Sequence, residues 1–277
     1  MSAEPNRTYP SQESRRQALV TGASAGIGKV FAEQLADRGY DLIVVARRVE
    51  RLESLRDELA QRSGVQVEVL SADLADDAEV ARVVEHIEQQ SNIEVLVNNA
   101  GFGVSGAYHE AEAAKNLAMI RVHVEATARL TRAALPQMVA NAKGYVINVS
   151  SMAGFFSAPG SVSYCATKAF LNSFSESLQC ELRRTGVSVQ ALCPGFTYSD
   201  FHDQPDAKMD RGKVPKWMWM SAEQVVKISL DSMGSRQSIR VPGMVNRLLS
   251  VVLRSGVLKP LFYRGYGAGL KDDGPSV

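Results

Sequence analysis

Short apolar runs alternate along this chain with longer stretches in which apolar residues return every three or four positions. The runs fall at 18–21, 41–46, 66–70, 94–97, 145–149 and 188–193, the length and composition of buried strands. The longer stretches fall near 27–38, 49–62, 76–90, 111–141, 163–185 and 222–234 and predict amphipathic helices. Strands that alternate with helices, and that carry apolar residues on both faces, predict an α/β single domain built on a doubly wound parallel sheet. At 277 residues the chain is long enough to bury such a core.

The first strand runs into TGASAGIG at 21–28, and a helix follows. Glycines at 22, 26 and 28 permit positive φ and let a ligand approach the backbone. A helix starting near Gly26 offers its unpaired N–H groups, and the positive end of its dipole, to an anion. The spacing differs from the usual Gly-x-Gly-x-x-Gly fingerprint. The alternatives are a ligand-free tight turn and a phosphate cradle formed by Gly22, Ser24, Ala25, Gly26, Ile27 and Gly28. A strand before the turn and a helix after it favour the cradle, and with it a Rossmann-like fold. The second strand ends in Arg47 and Arg48, with no acid before Glu50. A carboxylate at that place suits the ribose 2′-hydroxyl of NAD, whereas arginine suits the 2′-phosphate of NADP. A solvated charge cluster is the plainer alternative, but NADP(H) is the expected cofactor.

In SVSYCATKAF, Tyr164 and Lys168 stand four residues apart, and Ser151 lies thirteen residues upstream of the tyrosine. Residues at i and i+4 share one helix face. The ammonium is therefore expected to lie near the phenol and draw down its pKa, ordinarily about 10, toward the range where acid–base catalysis works. Ser151 would add a hydroxyl at the same reacting oxygen. Alone, such a pair is more often an ordinary pair of surface neighbours.

TGASAGIG at 21–28, ADL at 72–74, NNAG at 98–101, Ser151, the Tyr164/Lys168 pair and Pro194–Gly195 occur in this order. Together they resemble the short-chain dehydrogenase/reductase family, in its single-domain form with NADP(H) preference, over about residues 17 to 245. The resemblance implies a seven-stranded parallel sheet, a nicotinamide cofactor and oxidoreductase activity on CH–OH and C=O groups. It also implies that Asp73 and Leu74 border the adenine and that Asn99, Ala100 and Gly101 wall the cofactor ribose. Lys168 would bond the nicotinamide ribose hydroxyls and Thr197 would contact the carboxamide end, with Tyr164, Pro194 and Gly195 also among the cofactor-binding residues. Plainer roles stand beside these: Asp73 as the cap of the helix from Asp76, and 98–101 as a turn.

The chain departs from the family pattern at His123, where an asparagine usually stands. In the family that asparagine anchors a water linking the lysine to solvent. His123 is expected either to hold the same water, as a catalytic residue, or to stand on the helix face while another group completes the relay. A substrate lid is expected at about 196–221, with Trp217, Met218, Trp219 and Met220 either lining an apolar pocket or packing on the core. The implied division is a polar N-terminal tail at 1–17, a dinucleotide-binding catalytic domain at 18–245, and a C-terminal amphipathic segment and tail at 246–277. Val245, Leu248, Leu249 and Val252 fit one helical face. That face could pack within protein, cover the substrate opening, meet another subunit or lie on a membrane surface through 245–266.

A net charge of +1 with intermixed signs gives no footprint for nucleic acid. The three cysteines and four histidines show no metal-ligand spacing. No stretch reads as a signal peptide or a membrane span, so a cytoplasmic location is expected, with peripheral membrane contact as the variant. The reading is NADPH-dependent reduction of a ketone or aldehyde, apolar, steroid-like or lipid-like, by a homodimer or homotetramer. The alternatives are an NADP(H)-binding sensor without turnover and an NAD-dependent alcohol dehydrogenase.

Overall fold

Successive residues of strand β1 (Gln17–Thr21) point to opposite sides of a sheet, and both sides are buried. Ala18 and Val20 join one apolar cluster and Leu19 joins another. A computed structural model describes residues 16–199, 201, 212 and 214–255. The expected N-terminal tail up to residue 15, much of the expected lid and everything beyond 255 lie outside the described residues.

From β1 the chain alternates through α1 (Gly26–Ala36), β2 (Asp41–Ala46), α2 (Val49–Ser63), β3 (Val67–Ser71) and α3 (Asp77–Glu88). It continues through β4 (Ile93–Asn98), α4 (Ala113–Ile120), a π-helical turn (Arg121–Ala126) and α5 (Thr127–Ala140). Then come β5 (Gly144–Val149), a short 3-10 turn (Met152–Phe155), α6 (Val162–Glu181) and β6 (Val187–Leu192). The last elements are β7 (Thr197–Tyr198), β8 (Met220–Ser221), α7 (Ala222–Leu230), β9 (Ile239–Arg240) and α8 (Met244–Arg254).

Seven strands form one sheet in the order β3-β2-β1-β4-β5-β6-β9, every pair parallel. The order runs outward in both directions from β1 and β4, so the switch point of the sheet lies between them. On one face α1, α2 and α7 bury Phe31, Leu35, Leu52, Val225 and Leu230 against Val20, Val44 and Val97. On the other, α3 and α5 bury Val80, Val83, Leu130 and Ala134 against Leu19, Ile43 and Leu96. Each fully buried aliphatic side chain contributes about 1.5–3 kcal/mol, so this two-sided burial is what makes the sheet rigid. The continuous helix expected at 111–141 is interrupted by the π-helical turn, and β9 extends the six strands legible in the apolar pattern to seven. Ser221 caps α7 by accepting from Gln224 N–H at 3.2 Å.

Of the apolar row expected here, helix α8 exposes Val245 and Leu248 and half-buries Leu249 and Val252. It buries Asn246, Ser250 and Leu253 and turns Met244, Val245, Leu248 and Val251 outward, Leu248 being 72% exposed. The reason is local: Asn246 is held by the Pro242 carbonyl at 3.0 Å and Leu253 packs in a small cluster with Met152 and Phe155. Among the described residues, no helix is long and apolar enough to cross a membrane.

The turn from α6 to β6 abuts the turn from α5 to β5. Gly186 has φ +82°, and a Cβ there would stand 2.0 Å from the Ala142 carbonyl oxygen. Gly186→Ala should therefore destabilise the fold by about 2 kcal/mol or more, a loss of roughly 5 °C in Tm. Thermal denaturation followed by circular dichroism checks this; an unchanged Tm would mean that the two turns separate freely.

Candidate active site

The turns that leave the carboxyl ends of β1 to β6 border one cavity of about 770 Å³. Ligands of open α/β sheets bind at this end, beside the switch point.

At one pole lies the glycine turn. Gly22, Ser24, Ala25, Gly26 and Ile27 line the cavity. Gly22 has φ +67°, so a side chain is disfavoured there. Gly28 packs behind the turn, where a Cβ would come within 2.3 Å of the Gly22 carbonyl oxygen. No side chain caps the start of α1, which leaves its first N–H groups facing the cavity side. Arg48 donates to Ser24 Oγ from Nε at 3.2 Å and Nη2 at 2.9 Å. Arg47 Nη1 lies 3.6 Å from Asp73 Oδ2. Asp73 Oδ1 accepts from Ala75 N–H at 3.0 Å, while Asp76 caps α3 by accepting from Glu79 N–H at 3.0 Å. The capping role considered for Asp73 thus belongs to Asp76. Arg47, Arg48, Asp73 and Leu74 all border the cavity.

The loop after β4 closes against this turn. Asn99 Nδ2 donates to the carbonyls of Thr21 at 2.9 Å and Gly22 at 3.3 Å. Thr21 Oγ1 accepts from the N–H groups of Asn99 and Ala100 at 2.9 and 3.0 Å. The Asn99 side chain therefore holds the glycine turn in shape, while Asn99, Ala100 and Gly101 form the adjoining wall.

Ser151, Tyr164 and Lys168 meet on the far wall. Lys168 Nζ donates to the Val149 carbonyl at 2.8 Å, and Ser150 Oγ donates to the Lys168 carbonyl at 2.9 Å. Burial lowers the Lys168 pKa to about 8. Burial also pushes the Tyr164 phenol up to about 12, with a hydrogen bond to Ser151 pulling the other way. This corrects the expectation that the ammonium would draw the phenol down. Lys168 Nζ is directed to a backbone carbonyl, 5.6 Å from the phenol ring centroid, and desolvation dominates. The phenol consequently keeps its proton at neutral pH, the form a proton donor needs.

Pro194, Gly195, Thr197 and Ser199 line the next stretch, Thr197 Oγ1 donating to the Gly195 carbonyl at 3.1 Å. Beyond them the wall is apolar: Met152, Phe156, Phe196, Phe201, Met218, Leu249 and Leu253, with Asn246 as a polar exception. Of the four lid residues singled out in the sequence, Met218 borders the cavity. Trp219 is buried against Phe196 and Tyr198, with centroids 5.5 and 4.8 Å away, and Trp217 is exposed. Sequence reasoning missed Asn246, Leu249 and Leu253 as individual wall residues. Their signal was the possibility that the amphipathic segment covers the opening. His123 stands behind the wall, its two ring nitrogens engaged by Phe102 N–H and the Thr167 hydroxyl at 3.1 and 2.9 Å.

A doubly wound parallel sheet with a glycine-lined anion cradle and a Ser/Tyr/Lys cluster at its carboxyl edge defines an α/β oxidoreductase of the nicotinamide-dependent class. The sequence profile of the short chain dehydrogenases matches residues 16–210, and the chain belongs to that family. Sulfoacetaldehyde reductase 2 of Chromohalobacter salexigens is 36% identical over 186 residues, 66% of this chain and 73% of the relative. A short-chain dehydrogenase from Sphingobium yanoikuyae, solved in complex with NADPH, is 31% identical with a TM-score of 0.78, covering 94% of this chain and 98% of that one. The bulky-bulky ketone specific alcohol dehydrogenase from Comamonas testosteroni is 28% identical with a TM-score of 0.74, covering 94% and 97%.

Tyr164→Phe should lower turnover by about 10²–10⁴-fold while leaving cofactor affinity nearly intact, measured by steady-state kinetics and fluorescence titration. Carbonyl reduction should hold level below about pH 8 and decline above it as Lys168 loses its proton. A profile flat to about pH 10 would remove the Lys168 charge from the mechanism.

Proposed function

We propose that the protein reduces a bulky apolar ketone or aldehyde with NADPH and oxidises the alcohol in reverse. One observation carries the reading: Ser151, Tyr164 and Lys168 share a wall between a cationic, glycine-lined pole and an apolar pole.

The cationic pole fits a dinucleotide. Gly22 and Gly28 stand where a Cβ would collide, and the α1 N-terminus lacks a side-chain cap. Arg48, already bonded to Ser24, and Arg47 would share the 2′-phosphate of NADP with that serine. Asp73 would face this group only through its Arg47 partner, which disfavours an NAD-type contact to a free 2′-hydroxyl. The NADPH complex of the Sphingobium yanoikuyae relative supports the same assignment. When bound, the reduced nicotinamide supplies the hydride.

The chain's own residues do the rest. Tyr164 donates its proton to the carbonyl oxygen, and Ser151 hydrogen-bonds that oxygen and orients it. Lys168, fixed by Val149, would hold the nicotinamide ribose, and Thr197 the carboxamide. The apolar wall excludes water around the reacting carbonyl, which strengthens both hydrogen bonds.

The apolar pole also separates two substrate classes. A sulfonate such as the one named for the Chromohalobacter salexigens relative would need a cation. Among the described residues that border the cavity, the cations are Arg47, Arg48 and Lys168, none of them at the apolar pole. The aromatic and aliphatic wall favours instead a substrate like that named for the Comamonas testosteroni enzyme.

A screen of NADPH oxidation over ketones and aldehydes graded by size and polarity should show turnover confined to bulky apolar carbonyls. Preference for small anionic aldehydes would overturn the substrate assignment. Arg47→Ala and Arg48→Ala should each raise KM for NADPH about tenfold or more relative to NADH. An unchanged cofactor preference in both would reject the 2′-phosphate site.

A further inference from the structure

We propose that His123 is a positioning residue, a neutral imidazole locked as the Nδ1–H tautomer that ties the loop after β4 to the helix carrying Tyr164 and Lys168. The proposal concerns this chain's departure from its family and rests on the oxidoreductase reading only for its kinetic readouts.

The hydrogens decide the tautomer. Phe102 N–H can only donate, so His123 Nε2, 3.1 Å away, accepts. The Thr167 hydroxyl has one hydrogen and gives it to the Tyr164 carbonyl at 2.9 Å. Its oxygen therefore accepts from His123 Nδ1 at 2.9 Å, and that nitrogen carries the proton. A single directional chain results: Phe102 N–H to His123, His123 to Thr167, Thr167 to the backbone of Tyr164. No ring nitrogen remains for a water, and protonating Nε2 would set one donor against another.

The surroundings agree. The ring is buried, and burial together with the Lys168 charge on α6 holds its pKa well below the ordinary histidine range. It sits within the π-helical turn at Arg121–Ala126, a local widening of the kind that re-aims side chains at functional sites. Opposite it, a Cβ at Gly101 would stand 2.6 Å from Nε2, so that glycine makes room for the imidazole. The ring edge faces Tyr164 with centroids 6.0 Å apart. Gly101, Phe102 and Tyr164 all border the cavity, and the imidazole behind them, bonded to Phe102 N–H and packed against Tyr164, sets their spacing. An asparagine side chain is shorter and would not span both bonds, whereas the larger ring reaches Phe102 and Thr167 at once.

The test begins without cofactor. In histidine-labelled protein, nitrogen NMR should assign the Nδ1–H tautomer to His123, unchanged between about pH 5 and 8, where an ordinary imidazole titrates. Glutamine offers an acceptor oxygen and a donor nitrogen on one amide. His123→Gln should therefore keep kcat and both KM values within about threefold, whereas His123→Leu should lower kcat and raise KM for NADPH about tenfold. Thr167→Val, which removes one bond and keeps the volume, should fall between them and let the His123 resonance titrate. The proposal is overturned by an Nε2–H tautomer, or by titration of His123 in the unmodified protein. A kcat ionisation near pH 6–7 that disappears in His123→Gln with unchanged KM values would instead establish a relay. Inactivity of every variant and of the parent, with the expected tautomer intact, would count against the oxidoreductase reading alone.

Discussion

A buried ammonium and a buried hydroxyl bind helix α6 to the end of strand β5 in opposite directions. Lys168 on α6 donates to the carbonyl of Val149 at the end of β5, and Ser150, one residue on, donates to the carbonyl of Lys168. Taking a cation out of water is costly, and a strong backbone acceptor offsets part of that cost. Because the pair of bonds involves the residues next to Ser151 and one helical turn beyond Tyr164, it also fixes the distance between the two hydroxyls. Behind it, Asn98 donates to Thr131 and Asn148, and Asn148 donates to Ser175, so that α5 and α6 are bonded to β4 and β5 through side chains. Buried polar networks of this kind admit few alternative packings, since each misplacement leaves an unpaired group.

The periodic part of the architecture was legible in the chain. Six strands stood out as short, largely apolar runs such as Leu42–Val45, although Glu68 interrupts β3 and Gln190 interrupts β6. β9 did not, since Ile239–Arg240 is two residues long and its pairing with β6 depends on tertiary contact rather than on pattern. The glycine turn was legible because a Cβ has no place at Gly22 or Gly28. The state of Tyr164 was not: spacing puts Lys168 on the same helix face, but only the fold shows its ammonium turned to Val149. The part of the cavity wall formed by α8 was hidden for a related reason. Helix α8 exposes Val245 and Leu248, half-buries Leu249 and Val252 and buries Asn246, Ser250 and Leu253, so its apolar row and its buried face coincide only in part.

The short parallel pair β7–β8 joins Thr197 to Met220 and Tyr198 to Ser221, and Met220 N–H adds a bond to the Phe196 carbonyl at 3.0 Å. The stretch between them therefore leaves and rejoins the framework at one place. Two described residues within that stretch, Phe201 and Met218, border the same cavity as the glycine turn. The two-stranded pair thus anchors both ends of the stretch that carries these two wall residues, on a small sheet separate from the seven-stranded one.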